Sequence, residues 1–318
     1  MTAADRARYD AAAQRASATI IDAYSTSFGR SARMLAEPVR THVRNIYGLV
    51  RLADEIVDGA FDTVGRDERR ALLDELEAET DRAVARGCST NVTVHAFALT
   101  ARAAGIDASL TAPFFASMRT DLQRAEHDDA SLGAYVHGSA EVVGLMCLRV
   151  FLLDDAAGAG AGSGAGSGAG TPVRAGSSSD ASAARQARYD ALAPGAAALG
   201  AAFQKVNFLR DLAADRDDLG RGYLPGVARL TDADRDRLLD DIDADLAAAR
   251  AVIDELPASS RRGVLAAYSL FAALSRRLRR TPAAVIARRR VRVPAHEKLA
   301  VLARVTFAQR SPRAGVVR

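Results

Sequence analysis

Arg51-Leu52-Ala53-Asp54-Glu55-Ile56-Val57-Asp58 and Gln204-Lys205-Val206-Asn207-Phe208-Leu209-Arg210-Asp211-Leu212-Ala213-Ala214-Asp215 are the two stretches on which the reading of this chain turns. Each sets carboxylates four residues apart inside an apolar pattern of helical period. Residues three and four apart share a helix face, so Arg51, Asp54 and Asp58 line up, as do Gln204, Asn207, Asp211 and Asp215. Like charges at that spacing cost an isolated helix roughly 0.2–0.5 kcal/mol per pair, so something is expected to neutralise them. Carboxylates with an amide carbonyl, and neither His nor Cys, suit hard Mg²⁺, with Mn²⁺ a second choice. Mg²⁺ completes its shell with water and phosphate oxygens, which implies a diphosphate substrate.

Working outward, the 318 residues are 49% hydrophobic and 26% charged, which excludes disorder throughout and allows one large or two medium domains. Aromatic residues are 5% with no Trp, and Ala is abundant, so helix is favoured over strand. Residues 1–15 lack the apolar core of a secretory signal, and Cys88 and Cys147 make no disulfide framework, so a cytoplasmic location is expected. The longest apolar stretch, 142–153, is interrupted by Arg149 and is shorter than the roughly 20 residues that cross a bilayer.

Apolar residues recur at three and four over 9–21, 39–58, 92–104 and 112–124, and 66–86 reads as an outer amphipathic helix. Residues 132–153 read as one buried helix rich in small residues, including Gly138, Ser139, Ala140 and Gly144. Residues 156–182, Ala/Gly/Ser-rich, read as a flexible insertion rather than a domain boundary, since the two acidic motifs that must cooperate flank it. Helix resumes near 184 and runs through the second motif, and three more helices are predicted over 233–255, 259–280 and 295–310. The result is a single all-α domain over residues 1–318.

Two connecting segments admit two readings each. Ser25-Thr26-Ser27-Phe28-Gly29 can cap the next helix or present donors to an anion. The break at 218–226, with Arg221 and Tyr223, can end a helix or fold over a site as a flap. Residues 276–318 carry thirteen Arg or Lys and one acidic residue, Glu297. That end reads as a solvated basic face or a contact for anionic lipid; without aromatic interleaving it gives no case for nucleic acid.

Taken in order, Ser25-Thr26-Ser27-Phe28, Tyr47 with Arg51, Asp54-Glu55-Ile56-Val57-Asp58, Tyr135-Val136-His137-Gly138-Ser139-Ala140-Glu141-Val142-Val143-Gly144, Gln204 through Asp215, and Gly220-Arg221-Gly222-Tyr223-Leu224-Pro225 resemble the squalene/phytoene synthase family. These are the trans-isoprenyl diphosphate synthases that join two prenyl diphosphates head to head. The resemblance covers most of the chain and implies an isoprenoid-synthase-type helical bundle around a central cavity, with the acidic motifs facing each other across its mouth. It further implies that Asp54, Asp58, Asn207, Asp211 and Asp215 bind Mg²⁺, and that Ser25, Ser27, Phe28, Tyr47, Arg51, Gln204, Asn207, Arg210, Arg221 and Tyr223 meet the substrate. Tyr135 matches a tyrosine near the reacting carbons, where its ring could steady a cation and its hydroxyl move a proton. Without the resemblance it reads first as a buried Tyr using its hydroxyl as a structural donor.

The wording of Asp54–Asp58, of Gly138–Met146 and of Asn207–Asp211 is most similar to bacterial phytoene synthases of the 15-cis type. The resemblance therefore implies two geranylgeranyl diphosphates condensed through a cyclopropylcarbinyl diphosphate, without NADPH, as a step of carotenoid biosynthesis. Peripheral contact with the cytoplasmic face of the membrane and hand-over to downstream carotenoid enzymes follow from an insoluble product. The rivals are a squalene or dehydrosqualene synthase using farnesyl diphosphate, a terpene cyclase acting on one substrate, and a non-catalytic helical protein that binds membrane surfaces.

Overall fold

Alternation of apolar and polar residues at helical period, punctuated by caps, produces every element of the fold. The computed structural model describes residues 2–25, 28–59, 61, 63–123, 127–153, 178–217 and 230–308. In chain order the helices are α1 (Ala3–Tyr24), α2 (Phe28–Ala32), α3 (Val39–Asp58), α4 (Arg66–Arg86), α5 (Val92–Ala104), α6 (Ala108–Gln123) and α7 (Asp129–Val136). A π turn (His137–Glu141) leads into α8 (Val142–Phe151), followed by α9 (Ser178–Asp217), α10 (Asp232–Ile253), α11 (Ala258–Arg279), α12 (Ala283–Ile286) and α13 (Ala295–Ala308). The described residues contain no strand.

Local chemistry sets the ends. Thr2 accepts from the Asp5 amide while the Asp5 carboxylate accepts from the Thr2 amide, and Thr231 and Asp234 repeat the arrangement at α10. The α4 helix stops at Gly87, whose φ of 80° is a left-handed cap that a side chain would resist.

The α3 helix buries Val39, Val43, Ile46, Leu49, Ala53 and Ile56 and so turns Arg51, Asp54 and Asp58 toward a different face. One core gathers α1 to α6 and α8 with Leu192 of α9, Ile253 of α10 and Val264 of α11. A second forms around α9 to α12 with Leu199 and Tyr268 packed against both, and Tyr135 and Val136 of α7 cluster with Ala201 and Phe208. Lys205 of α9 ties to Asp245 of α10 at 2.8 Å and to Asp241, holding these two helices together beside the second acidic motif.

Two sequence expectations change. The single helix expected over 132–153 is divided by the π turn, because Gly138 lies so close to α6 that a Cβ there would sit 2.0 Å from Ser117 Oγ and 2.2 Å from the Pro113 carbonyl. Widening the turn lets that approach coexist with continued helix. The insertion expected over 156–182 falls mostly outside the described residues, but 178–182 already belong to α9, with Asp180 in its first turn favouring the helix dipole.

The close approach of the π turn and α8 to α9 rests on two glycines. A Cβ on Gly200 would lie 2.4 Å from the Ala140 carbonyl oxygen, and one on Gly144 2.5 Å from that of Ala196. Gly200→Ala should therefore lower stability by about 1–3 kcal/mol in urea unfolding. Gly133→Ala, on exposed α7 with nothing within 4 Å of the new methyl, should raise it by about 0.5–1 kcal/mol. Equal effects at both positions would remove the argument for backbone contact.

Candidate active site

An apolar cavity lies between the helices, lined by Val43 and Val50 of α3 and by Leu192, Ala196, Gly200 and Gln204 of α9. Phe28 of α2, Val143 and Phe151 of α8 and its flank, and Leu256 complete the wall. Along α3 the helical register that carries Val50 continues to Asp54 and Asp58; along α9 the register that carries Gln204 continues to Asn207 and Asp211. Both acidic motifs therefore extend helices that line one cavity.

Electrostatics at the α3 rim are unusual for a surface. Asp54 keeps 35% of its side chain exposed and its nearest cation, Arg51, stands 4.0 Å away. Loss of hydration pushes its carboxyl up to about 7, with Arg51 opposing the shift and Asp58 and Glu55 adding to it. Arg51 pairs mainly with Glu55 and lays its guanidinium over the Tyr24 ring, 4.3 Å from the centroid. Its Nε is buried without a hydrogen-bond partner among the described residues. Asp58, at the end of α3, is exposed.

Tyr47 stacks on Phe28 with centroids 5.9 Å apart and hydrogen-bonds Ser25 through its hydroxyl. Burial is the main cause that raises the Tyr47 hydroxyl above its usual range, with Arg51 opposing and Asp54 adding. The Ser25 hydroxyl also accepts from the Gly29 amide at 3.2 Å, so this serine caps α2 and still faces Tyr47.

On α9, the Asn207 Oδ1 is buried with no donor among the described residues, an unmet amide oxygen on the stripe that carries Asp211. Ser139 Oγ, on the cavity wall, is likewise unpartnered. Asp211 is held by two guanidinium groups, Arg210 at Nε–Oδ1 2.8 Å and Arg290 at Nε–Oδ1 2.7 Å. Burial and the nearby Arg30, Arg210, Arg292 and Arg290 depress the Lys298 ammonium, which marks a convergent cationic cluster from α2, α9 and the segment before α13.

Of the expected residues, Phe28 and Gln204 line the cavity, Ser25 and Tyr47 sit beside Phe28, Arg51 and Asp54 follow Val50 along α3, and Asn207, Arg210 and Asp211 follow Gln204 along α9. Ser27, Arg221, Tyr223 and the side chain of Asp215 lie outside the described residues. Among the described residues no three of His, Cys, Asp and Glu form a metal-binding group. The donor chemistry still fits a hard cation: an unmet amide oxygen, a half-buried carboxyl and a second carboxylate at helical spacing.

Tyr135 takes the structural-donor arrangement. It is buried off the cavity wall, its hydroxyl donates to Asp121 Oδ2 at 2.9 Å, and its ring packs near His127 and Phe208. Sequence reasoning missed Glu55, Arg30, Arg290, Arg292 and Lys298. The spacing of Glu55 to Arg51 carried a signal for that pair; the arginines were legible only as part of a basic tail.

Comparison with known proteins followed the same lines. The family described as squalene/phytoene synthase matches residues 21–297. No curated protein matches the chain. A dehydrosqualene synthase in complex with ligand superposes with a TM-score of 0.70 at 17% identity, covering 96% of this chain and 99% of that one. The squalene synthase HpnC from Alicyclobacillus acidocaldarius gives 0.65 at 18%, covering 85% and 94%. YisP from Bacillus subtilis subsp. subtilis strain 168 gives 0.62 at 15%, covering 94% and 98%. At these identities the likeness concerns the fold.

The rim makes a stability prediction. In the folded chain Asp54 holds its proton up to about pH 7, whereas the unfolded carboxyl releases it near pH 4, so ionising it opposes folding. Its contribution to stability is present below about pH 4 and is lost as pH rises to about 7. Asp54→Asn should then raise Tm at pH 8 without metal and change little at pH 4. After discounting for solvent access, the gain at pH 8 is on the order of 1 kcal/mol. A lower Tm at pH 8 would mean that Asp54 is solvated and ionised.

Proposed function

The chain belongs to the squalene/phytoene synthase family, prenyltransferases that condense prenyl diphosphates head to head and typically depend on a divalent metal, and from that premise we propose a phytoene synthase acting on geranylgeranyl diphosphate. What supports the longer chain is the length of α9 that lines the apolar cavity. From Gln204 to Leu192 the lining stripe spans twelve residues of α9, about 18 Å at helical rise. An extended chain advances about 1.2 Å per bond, which gives about 19 Å for a geranylgeranyl chain and about 14 Å for a farnesyl chain.

In this reading Asp54, Asp58, Asn207, Asp211 and Asp215 hold the metal, which would neutralise the diphosphate leaving group and orient it. Arg51 and the cluster of Arg210, Arg290 and Lys298 meet phosphate oxygens from opposite walls. Arg210 and Arg290 pair with Asp211 in the resting protein, so an arriving diphosphate offers them a second anion and loosens their hold on that carboxylate. Tyr47 and Ser25 supply hydroxyl donors beside Arg51.

Leaving of the first diphosphate creates an allylic cation, which the double bond of the second substrate attacks; loss of a proton closes a cyclopropylcarbinyl diphosphate. A second ionisation, rearrangement and proton loss yield the forty-carbon hydrocarbon and two diphosphates in all. Walls of Phe28, Val50, Val143 and Leu256 keep water from these cations. Cys147 on the same wall is no competing nucleophile, since burial pushes its thiol up to about 12. Tyr135, occupied by Asp121, serves this reading as a support for the wall rather than a proton carrier. The hydrocarbon leaves through lipid, which calls for peripheral contact with a membrane.

The test is purified protein with Mg²⁺ and either geranylgeranyl or farnesyl diphosphate, with and without NADPH. A forty-carbon product from the longer substrate, indifferent to NADPH and abolished by EDTA, is expected. Asp54→Ala should lower turnover at least about a hundredfold with helicity retained. A thirty-carbon product alone would reassign the substrate to farnesyl diphosphate; product formation unaffected by EDTA would sink the metal assignment.

A further inference from the structure

On the side of the molecule formed by α11 and α13, the polar pocket between these helices is walled by Arg276, Arg277, Arg280 and Arg304, with Thr281 and Glu297. Glu297 pairs with Arg277 at 3.3 Å, and Arg276, Arg280 and Arg304 face no carboxylate at ion-pair distance among the described residues. Three exposed guanidinium groups around one concavity repel one another and favour a polyvalent oxygen anion.

The adjoining face of α13 has the opposite character. Leu299 and Phe307 are 61% and 63% exposed, the two most exposed large hydrophobic residues described. At 100° per residue, Leu299, Ala303 and Phe307 form one stripe, and Ala300 and Arg304 lie on its border with the pocket face of Glu297, Ala300, Val301 and Arg304. An apolar stripe bordered by arginines matches an anionic bilayer surface, headgroup phosphate in the pocket and apolar side chains at the acyl boundary. No described helix is long and apolar enough to cross a membrane, so this face would lie in the interface plane.

We propose that the α11–α13 face is a docking surface for anionic phospholipid, with Arg276, Arg280 and Arg304 taking a headgroup phosphate and Leu299 and Phe307 entering the outer acyl layer. It rests on the proposed function only for its purpose, release of a hydrocarbon. Binding is measured without substrate, so the surface and the condensation can fail separately.

The experiment is co-sedimentation of the full chain with phosphatidylglycerol or phosphatidylcholine vesicles at low salt. Binding to phosphatidylglycerol alone, weakened by salt, is expected. Each arginine is worth about fivefold in partitioning, so Arg276→Gln/Arg280→Gln/Arg304→Gln should lower it about a hundredfold. Leu299→Ser/Phe307→Ser should lower it at least about tenfold. Both variants should keep wild-type Tm and turnover of detergent-dispersed substrate. Absence of binding to phosphatidylglycerol, or variants that bind as wild type, overturns the proposal. So does binding that the Leu299/Phe307 variant retains and glycerol phosphate abolishes, since that marks a site for a free anion.

Discussion

A half-buried carboxyl, Asp54, on a helix that lines an apolar cavity is the constraint on which this structure turns. Loss of hydration raises the Asp54 carboxyl toward neutrality, and among the described residues Arg51, 4.0 Å away, is the cation that opposes the shift. Leaving such a group in a folded protein costs stability unless another positive charge arrives. On α9, the other helix whose acidic motif extends from the cavity lining, Asp211 is compensated from within, by Arg210 and Arg290. The two walls are therefore unlike: one short of positive charge, the other oversupplied around Lys298. A multivalent anion bridged by a cation answers both conditions at once.

Keeping that rim intact requires helices that do not slide. Gly144 and Gly200 let α8 and α9 meet through backbone, and Gly195 meets Val252 of α10 so closely that a Cβ would lie 2.2 Å from a methyl. Larger side chains at these positions would separate the helices and close or distort the space between them. Lys205, bridged to Asp241 and Asp245, fixes the rotation of α9 one residue from Gln204. Packing with small residues and a partly exposed ion-pair cluster thus sets the angle at which Asn207 and Asp211 are presented.

Much of this was legible in the sequence because it depends on spacing. The period of three and four in 39–58 determines that Arg51, Asp54 and Asp58 leave the core together, and the helix observed has the expected limits. The π turn was not legible, since its cause is Gly138 against Pro113 and Ser117, residues over twenty positions away. Nor was Arg290, which meets Asp211 from seventy-nine positions further along, and whose neighbours Arg288 and Arg289 are chemically identical in sequence. Tyr135 illustrates the same limit: its identity suggested a role at the reacting carbons, while its partner, Asp121, is specified only by how α6 crosses α7.

The arginine-rich end of the chain divides by the same logic into groups that charge counting merges. Arg279 turns inward to Asp240 and Asp243 of α10, and Arg290 reaches Asp211 at the cavity rim. Arg276, Arg280 and Arg304 turn outward around the α11–α13 pocket. Helical phase separates them: Arg279 lies three residues from Arg276 yet reaches α10, because Ser275 and Arg279 share the face that meets Asp243. One run of basic sequence therefore contributes to interhelical packing, to the rim of the cavity and to an outer surface, and only the direction in which each guanidinium leaves its helix decides which.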